Sequence, residues 1–230
     1  LGPTQAARSM EFIRRAPADA WAPAHGGFLI ESAPPHPGLI GSAFPWEGRR
    51  AGADLMETAR FLAPLIGIVR DQGAGWVRPG RGGHARIEYR LGREDEASAR
   101  RALVELARLA QAGGAIEVLA VATPPVRWSA REDGDALFDD FCRWLASADM
   151  APNRVSLFNA HQMGTARAGA SPATHPADPH GRVRLDTAGQ LLNGAYVADA
   201  SLAPTAIGVN PMLTVMALAE RTARAVLADG

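Results

Sequence analysis

One cysteine, Cys142, is all that the 230 residues contain. That excludes an internal disulfide framework and any zinc site built on cysteines. The stretch around it, Leu137 to Leu145, has helical spacing, where a thiol packs as a small hydrophobe. Net charge is missing too: Lys+Arg 24 balance Asp+Glu 24, so no electrostatic footprint argues for nucleic acid or an anionic membrane surface. No apolar run approaches the roughly 20 residues that cross a bilayer, so there is no clear membrane segment. Neither G-x-x-x-x-G-K-[ST] nor G-x-G-x-x-G occurs, although Gly80, Gly82 and Gly83 come near by chance. The G-x-S-x-G elbow of serine hydrolases is absent, and no internal repeat is visible. The chain opens Leu1-Gly2-Pro3 rather than with methionine, so the lack of a signal peptide says little about compartment.

What is present is ordinary for a globular protein: 47% hydrophobic and 21% charged residues, with 24 Gly and 17 Pro marking many turns. The length suits one large domain or two modest ones. Residues 1–24 carry no periodicity and read as an irregular lead-in. "GGFLIESAPPHPG" reads as a strand, Phe28 to Ser32, stopped by prolines. Leu55, Ala59 and Leu62 share one helical face, which predicts a helix from Asp54 to Pro64 with Asp54 at its start. "LIGIVRD", "GWVRP" and "ARIEYRL" are strand-like runs parted by Gly-rich turns at 72–75 and 80–83, the pattern of an antiparallel meander. A helix follows from Arg93, with acids at 94–96 facing its positive end and Gly113-Gly114 closing it. "AIEVLAVA" reads as a buried strand, and Asp135 to Ala148 as an amphipathic helix.

Composition shifts near residue 150, which divides the chain into residues 1–154 and 155–230. The second part reads as a short strand from Val155, a long Gly/Ala/Pro/His loop, two strands about a turn, and a small-residue loop. A final helix, Met212 to Leu227, presents Met212, Val215, Met216, Ala219, Ala223, Val226 and Leu227 on one face.

Three places in that part have side chains suited to chemistry. His161, in "NAHQMGT", follows a strand-like run and stands on an open turn, where an imidazole is placed to act as a base or simply to face solvent. Asn210-Pro211 is a good helix start by itself, an N-cap followed by a proline whose missing amide costs nothing. The same start offers amides and a dipole to negative charge. Asp199, at the end of "AYVADAS", can accept hydrogen bonds from a ligand or merely cap a turn. A Ser201–His161–Asp199 hydrolase lacks its elbow, and His175 and His180 around Asp178 lie in a proline-rich loop that nothing places on one face for a metal.

Taken together and in order, "HQMGT", "DPHGRV", "AYVADASLAPT" and "GVNPMLTVMALAERTA" resemble the C-terminal signature of the glucose–methanol–choline (GMC) oxidoreductases. "GGFLIESAPPHPG", "AFPW", "LAPLIGIVRDQGAGWV" and "IEYRL" are similar to the substrate domain of the long-chain alcohol oxidase branch. The resemblance implies an antiparallel sheet with helices, an α+β substrate domain over residues 1–154. Residues 155–230 would then supply the last strands and helix of a Rossmann-like FAD-binding domain whose N-terminal half is absent. It implies FAD as cofactor and an alcohol, primary and long-chain or hydrophobic, as substrate, oxidised by hydride transfer to the flavin.

By motif, His161 corresponds to the base and Asn210 to its partner. Asp199 and Ala200 match the segment beside FAD, and Asn210, Pro211 and Met212 the helix start facing the flavin pyrimidine edge. The residue types suit those roles. A departing hydride asks for alkoxide character at the substrate oxygen, hence for a base of near-neutral pKa. An amide can hold that oxygen, and a helix start can stabilise charge on reduced flavin. "GTARAGASP" stands where the family more usually has Cys-Arg-Met. The resemblance further implies a partner, either a preceding FAD-binding segment or a separate flavin-domain chain. Without it the 230 residues are expected to hold FAD poorly. The alternative is a cofactor-free remnant or accessory subunit of the same fold.

Overall fold

The structure is a computed structural model, and it describes residues 8–9, 27–33, 36–45 and 47–230. The remainder of the expected lead-in, Pro34 and Pro35 of the proline cluster, and Trp46 of "AFPW" lie outside the described residues. The architecture is mixed, helices with antiparallel sheets, in two compact units. One comprises residues 1–70 and 92–158, the other residues 71–91 and 159–230.

The first unit begins with strands β1 (Arg8–Ser9), β2 (Phe28–Ser32) and β3 (Leu65–Val69), joined in that order as one antiparallel sheet. Arg8–Ser9 is thus ordered pairing in a region whose sequence carries no periodicity. β2 is the buried centre, because Phe28, Leu29 and Ile30 are all apolar and all lose solvent. Helix α1 (Pro37–Ala43) and helix α2 (Arg49–Thr58) follow β2. α2 starts five residues before the expected Asp54, at Arg49 with Gly48 as its N-cap, and ends at Thr58 rather than Pro64. Its end has a local cause: the Thr58 hydroxyl donates to the carbonyls of Asp54 (3.2 Å) and Leu55 (3.0 Å), and the chain tightens into a 3-10 turn, Ala59–Phe61.

The expected meander is also different. β3 pairs with β2, while β4 (Trp76–Pro79) and β5 (Ala85–Glu88) form a separate hairpin in the second unit. The glycines at 73 and 75 interrupt pairing, and β3 gains more by lying against an apolar strand.

Helix α3 (Arg93–Ala112) packs on β2 and β3. Small residues let it approach: a Cβ added at Gly67 would come within 2.9 Å of the Ala102 Cβ. The Gly92 amide donates to Asp95 at 3.3 Å, closing the helix start. Strand β6 (Glu117–Ala120) pairs with β7 (Val126–Ser129), a strand not anticipated from "PPVRWS". β6 is half-buried rather than buried, since only one of its faces meets the core. Helix α4 (Gly134–Ala146) ends where the Ser147 hydroxyl donates to the Arg143 and Trp144 carbonyls.

The core of this unit closes around Trp128, 2% exposed, with Phe138, Phe141, Cys142, Leu145 and Ala107. Trp128 and Phe138 meet edge-on, ring centroids 4.9 Å apart, and the indole N–H donates to the Gly134 carbonyl at 2.9 Å. Burial pushes the Cys142 thiol up, so it packs as an inert apolar group.

The second unit holds the β4–β5 hairpin, a long loop, strands β8 (Arg182–Arg184) and β9 (Leu191–Tyr196), a 3-10 turn (Ala200–Leu202) and helix α5 (Met212–Asp229). Trp76 is 65% exposed, with the Arg78 guanidinium 5.2 Å from its ring centroid. On α5 the expected face is split: Val215 and Ala219 are half-buried, and the rest of that face is exposed. Thr222 and Ala225 are buried, whereas Met212 (69%), Met216 (61%) and Leu227 (82%) are exposed. Close approach selects small and hydrogen-bonding residues at Thr222 and Ala225, so most of the apolar stripe points away from the packing face.

Candidate functional site

The loop after residue 158 builds the site. No strand leads into His161; Val155 makes only a bridge to Ala122, and the chain then runs free of pairing. What holds His161 is Asn159, whose side-chain oxygen accepts the His161 amide at 3.0 Å and whose carbonyl accepts the Gln162 side-chain amide at 2.5 Å. That self-closing asparagine turn leaves the His161 side chain half-buried.

Beyond it the backbone lies along the segment that follows β9. The amides of Gly164, Ala166 and Ala168 donate to the carbonyls of Ala200 (3.3 Å), Ser201 (3.1 Å) and Leu202 (2.9 Å). Gly164 is in the left-handed region, φ 78°, and a Cβ there would stand 3.2 Å from the Ala203 carbonyl oxygen. The loop carrying His161 is therefore fastened to the stretch that starts at Asp199.

Asp199 does not end a strand, because β9 stops at Tyr196. It caps the 3-10 turn, its carboxylate accepting the Ser201 amide at 2.8 Å. Ser201 thus meets Asp199 through its backbone, which is a turn and not a nucleophile–acid pair. Ala200 is half-buried within the turn, and Leu202 and Ala203 are buried below it.

The chain then reaches α5. Pro211, not Asn210, is the N-cap: the first helical bond runs from the Val215 amide to the Pro211 carbonyl at 2.8 Å. The helix begins one residue late, so Asn210 stands just outside it, half-buried, and Met212 is its first residue. A proline at the cap has no side chain to close the mouth, and the first-turn amides have no intrahelical acceptor. His161, Asp199, Ala200, Asn210, Pro211 and Met212 all lie in this one unit, and α5 packs against both β9 and the 3-10 turn.

The helix mouth is of a kind that can take negative charge, and the loop leading to it, residues 203–208, holds Ala203, Ala206 and a buried Gly208 at φ 73°. Nothing in the 230 residues matches a glycine-rich diphosphate cradle.

Charged side chains, of which the sequence singled out only Asp178, fix the surroundings. Arg182 grips Asp229 with two bonds of 2.6 Å and reaches Asp178 at 3.3 Å; the Tyr196 hydroxyl donates to Asp229 at 2.8 Å. The Arg182 bonds, with the tyrosine's, hold the Asp229 carboxyl at about 2, and Arg182 itself is raised. Asp178 sits low in spite of its partial burial, because the Arg182 and His180 amides and the Arg182 guanidinium bond its charged form. Asp178 is thereby committed to Arg182 rather than to the neighbouring histidines. Arg184 gives two bonds of 2.8 Å to the His175 and Ala177 carbonyls and one of 3.3 Å to that of Ala170, drawing the loop closed. The signal for this network was the arginine in "DPHGRVR" and an aspartate in the last turn of a helix, where the dipole disfavours it.

Comparison with known proteins gives a consistent result. The C-terminal family model described as GMC oxidoreductase matches residues 79–219. A long-chain-alcohol oxidase of Arabidopsis thaliana is 28% identical over 195 residues, covering 85% of this chain and 26% of the relative. A second from the same plant is 30% identical over 198 residues, 83% of this chain and 25% of the relative. An uncharacterized GMC-type oxidoreductase of Mycobacterium tuberculosis is 35% identical over 198 residues, 84% and 28%. The chain spans about a quarter of the length of these relatives. Among the described residues, no helix is long and apolar enough to cross a membrane.

Proposed function

Because this chain belongs to the GMC oxidoreductase family, we propose that it forms the substrate-side and active-site portion of an FAD-dependent alcohol oxidoreductase. Its substrate is a primary, long-chain or otherwise hydrophobic alcohol, in keeping with the named activity of two of its relatives. Residues 1–154 act as the substrate region, and residues 155–230 complete a Rossmann-like FAD-binding domain. The diphosphate cradle comes from a flavin-binding segment or chain other than these residues. The observation that carries the reading is the fastening of the His161 loop, through Gly164, Ala166 and Ala168, to the turn that leads into α5.

FAD, when bound, supplies the hydride acceptor. The protein's own work is positioning and proton handling. His161, held by the Asn159 turn, takes the proton of the alcohol hydroxyl, which raises alkoxide character at the oxygen. The Asn210 side-chain amide donates to the same oxygen and fixes its distance from the acceptor. Asp199 and Ala200 pass beside the cofactor, and the Pro211–Met212 mouth of α5 aims its amides and dipole at the flavin ring edge.

In the complete enzyme, His161→Ala should lower kcat by on the order of 10²–10⁴-fold, the usual worth of a positioned base, while bound flavin absorbance is kept. Turnover near that of the parent would reject the assignment. The alternative reading is a cofactor-free accessory protein of the same fold. Titrating FAD into the assembled protein decides between them.

A further inference from the structure

α5 is an 18-residue rod, so the way its far end is tied decides where its mouth can lie. Two ties join it to the β8–β9 hairpin. In the first, the buried Thr222 hydroxyl donates to the Val197 carbonyl at 3.1 Å. Gly181, φ 85°, makes room for that tie, since a Cβ there would stand 2.4 Å from the Thr222 hydroxyl and 2.6 Å from the Val197 oxygen. The second tie is the grip of Arg182 and Tyr196 on Asp229, seven positions further along.

At about 1.5 Å per residue the two ties stand roughly 10 Å apart along the axis, and Met212 lies roughly 15 Å beyond Thr222. With Asp229 released, only the Thr222 bond and the packing on β9 and the 3-10 turn hold α5, so the helix can rock about Thr222 and its first turn can open. A tilt of about 5° would then carry the mouth about 1.3 Å on that 1.5 Å rise, and a misplacement of about 1 Å can cost on the order of 10²-fold in rate. An aspartate in the last helical turn opposes the dipole, and a two-pronged arginine pair offsets that cost while fixing direction as a single point charge would not.

We propose that Arg182, Asp229 and Tyr196 are positioning residues: their clasp on the far end of α5 sets the helix axis and thereby the place of the Asn210–Met212 mouth beside the Asp199–Ala203 turn. The effect on turnover rests on the flavin reading above; the effect on the helix does not.

Asp229→Asn in the full 230-residue chain tests the helix directly by amide hydrogen exchange. Exchange should quicken on the order of ten-fold at Val215 and Met216, far from the substitution, as well as in the last turn, and Asp229→Glu should restore most of the protection. Quickening confined to residues 225–229 would make the clasp a local fastening only and overturn the proposal. Should Asp229→Asn fail to fold, Tyr196→Phe removes one bond and leaves the arginine pair. It should give a smaller change at Val215, and none there would again overturn the proposal. In the flavin-loaded enzyme the same Asn variant should lose kcat about ten-fold with KM changed less than about two-fold and flavin content kept; an unchanged kcat counts against positioning. If the parent enzyme oxidises no alcohol, the flavin reading fails, and hydrogen exchange alone still judges the clasp.

Discussion

The α3–α4 region and the C-terminal region treat their large apolar side chains in opposite ways. In the first, Trp128, Phe138, Phe141 and Leu145 turn inward and pack on one another. In the second, α5 packs through Thr222 and Ala225 and turns Met212, Leu213, Met216 and Leu227 to solvent, as the β4–β5 hairpin does with Trp76 and Ile87. Burial of apolar area stabilises the one; close backbone approach, hydrogen bonds and one ion-pair network hold the other. Exposed apolar side chains grouped in this way suit an interaction surface, which the proposed flavin-binding polypeptide would cover.

The contrast can be broken at its strong end first. Trp128→Ala should cost about 3–5 kcal/mol, since it empties the centre of a packed cluster and loses the bond to Gly134; a denaturant titration measures it. Gly181→Ala should cost about 1–3 kcal/mol through a strained φ and the collision with Thr222, read from the same titration. Lowering pH acts on the clasp. The Asp229 carboxyl, faced by Arg182, Tyr196 and His180, is held at about 2, below its ordinary 3.8. Its contribution is therefore complete above pH 4 and lost as pH falls through about 2, which hydrogen exchange in the last turn of α5 would follow. The smallest effect belongs to the exposed face: Leu213→Ser with Leu227→Ser should change the stability of the isolated chain by less than about 0.5 kcal/mol. If that pair cost as much as Trp128→Ala, the contrast between the regions would be false.

Sequence pattern served best where burial and period agree. Phe28–Ser32 is the strand its residues announce, and Arg93–Ala112 has the helix limits set by its acids and by Gly113-Gly114. It served worst where a polar detail decides. The end of α2 depends on one threonine bonding back to its own turn, and the inward face of α5 depends on a glycine elsewhere that admits Thr222. At the site, the order of motifs placed His161, Asp199 and Asn210 on one stretch of chain. The bonds from Gly164, Ala166 and Ala168 to residues 200–202 span dozens of residues and have no local signature. Arg182 and Asp229, 47 positions apart, are hidden for the same reason.

Trp128 and Trp76 also make the molecule its own fluorescent reporter. Trp128 is shut away and hydrogen-bonded, so its emission should be blue-shifted and indifferent to iodide until the core opens. Trp76, exposed beneath the Arg78 guanidinium, is open to an anionic quencher that this cation attracts. The chain holds five tryptophans; with Trp21, Trp46 and Trp144 replaced by Phe, loss of iodide quenching without a change in the blue component would signal that something has settled on the hairpin.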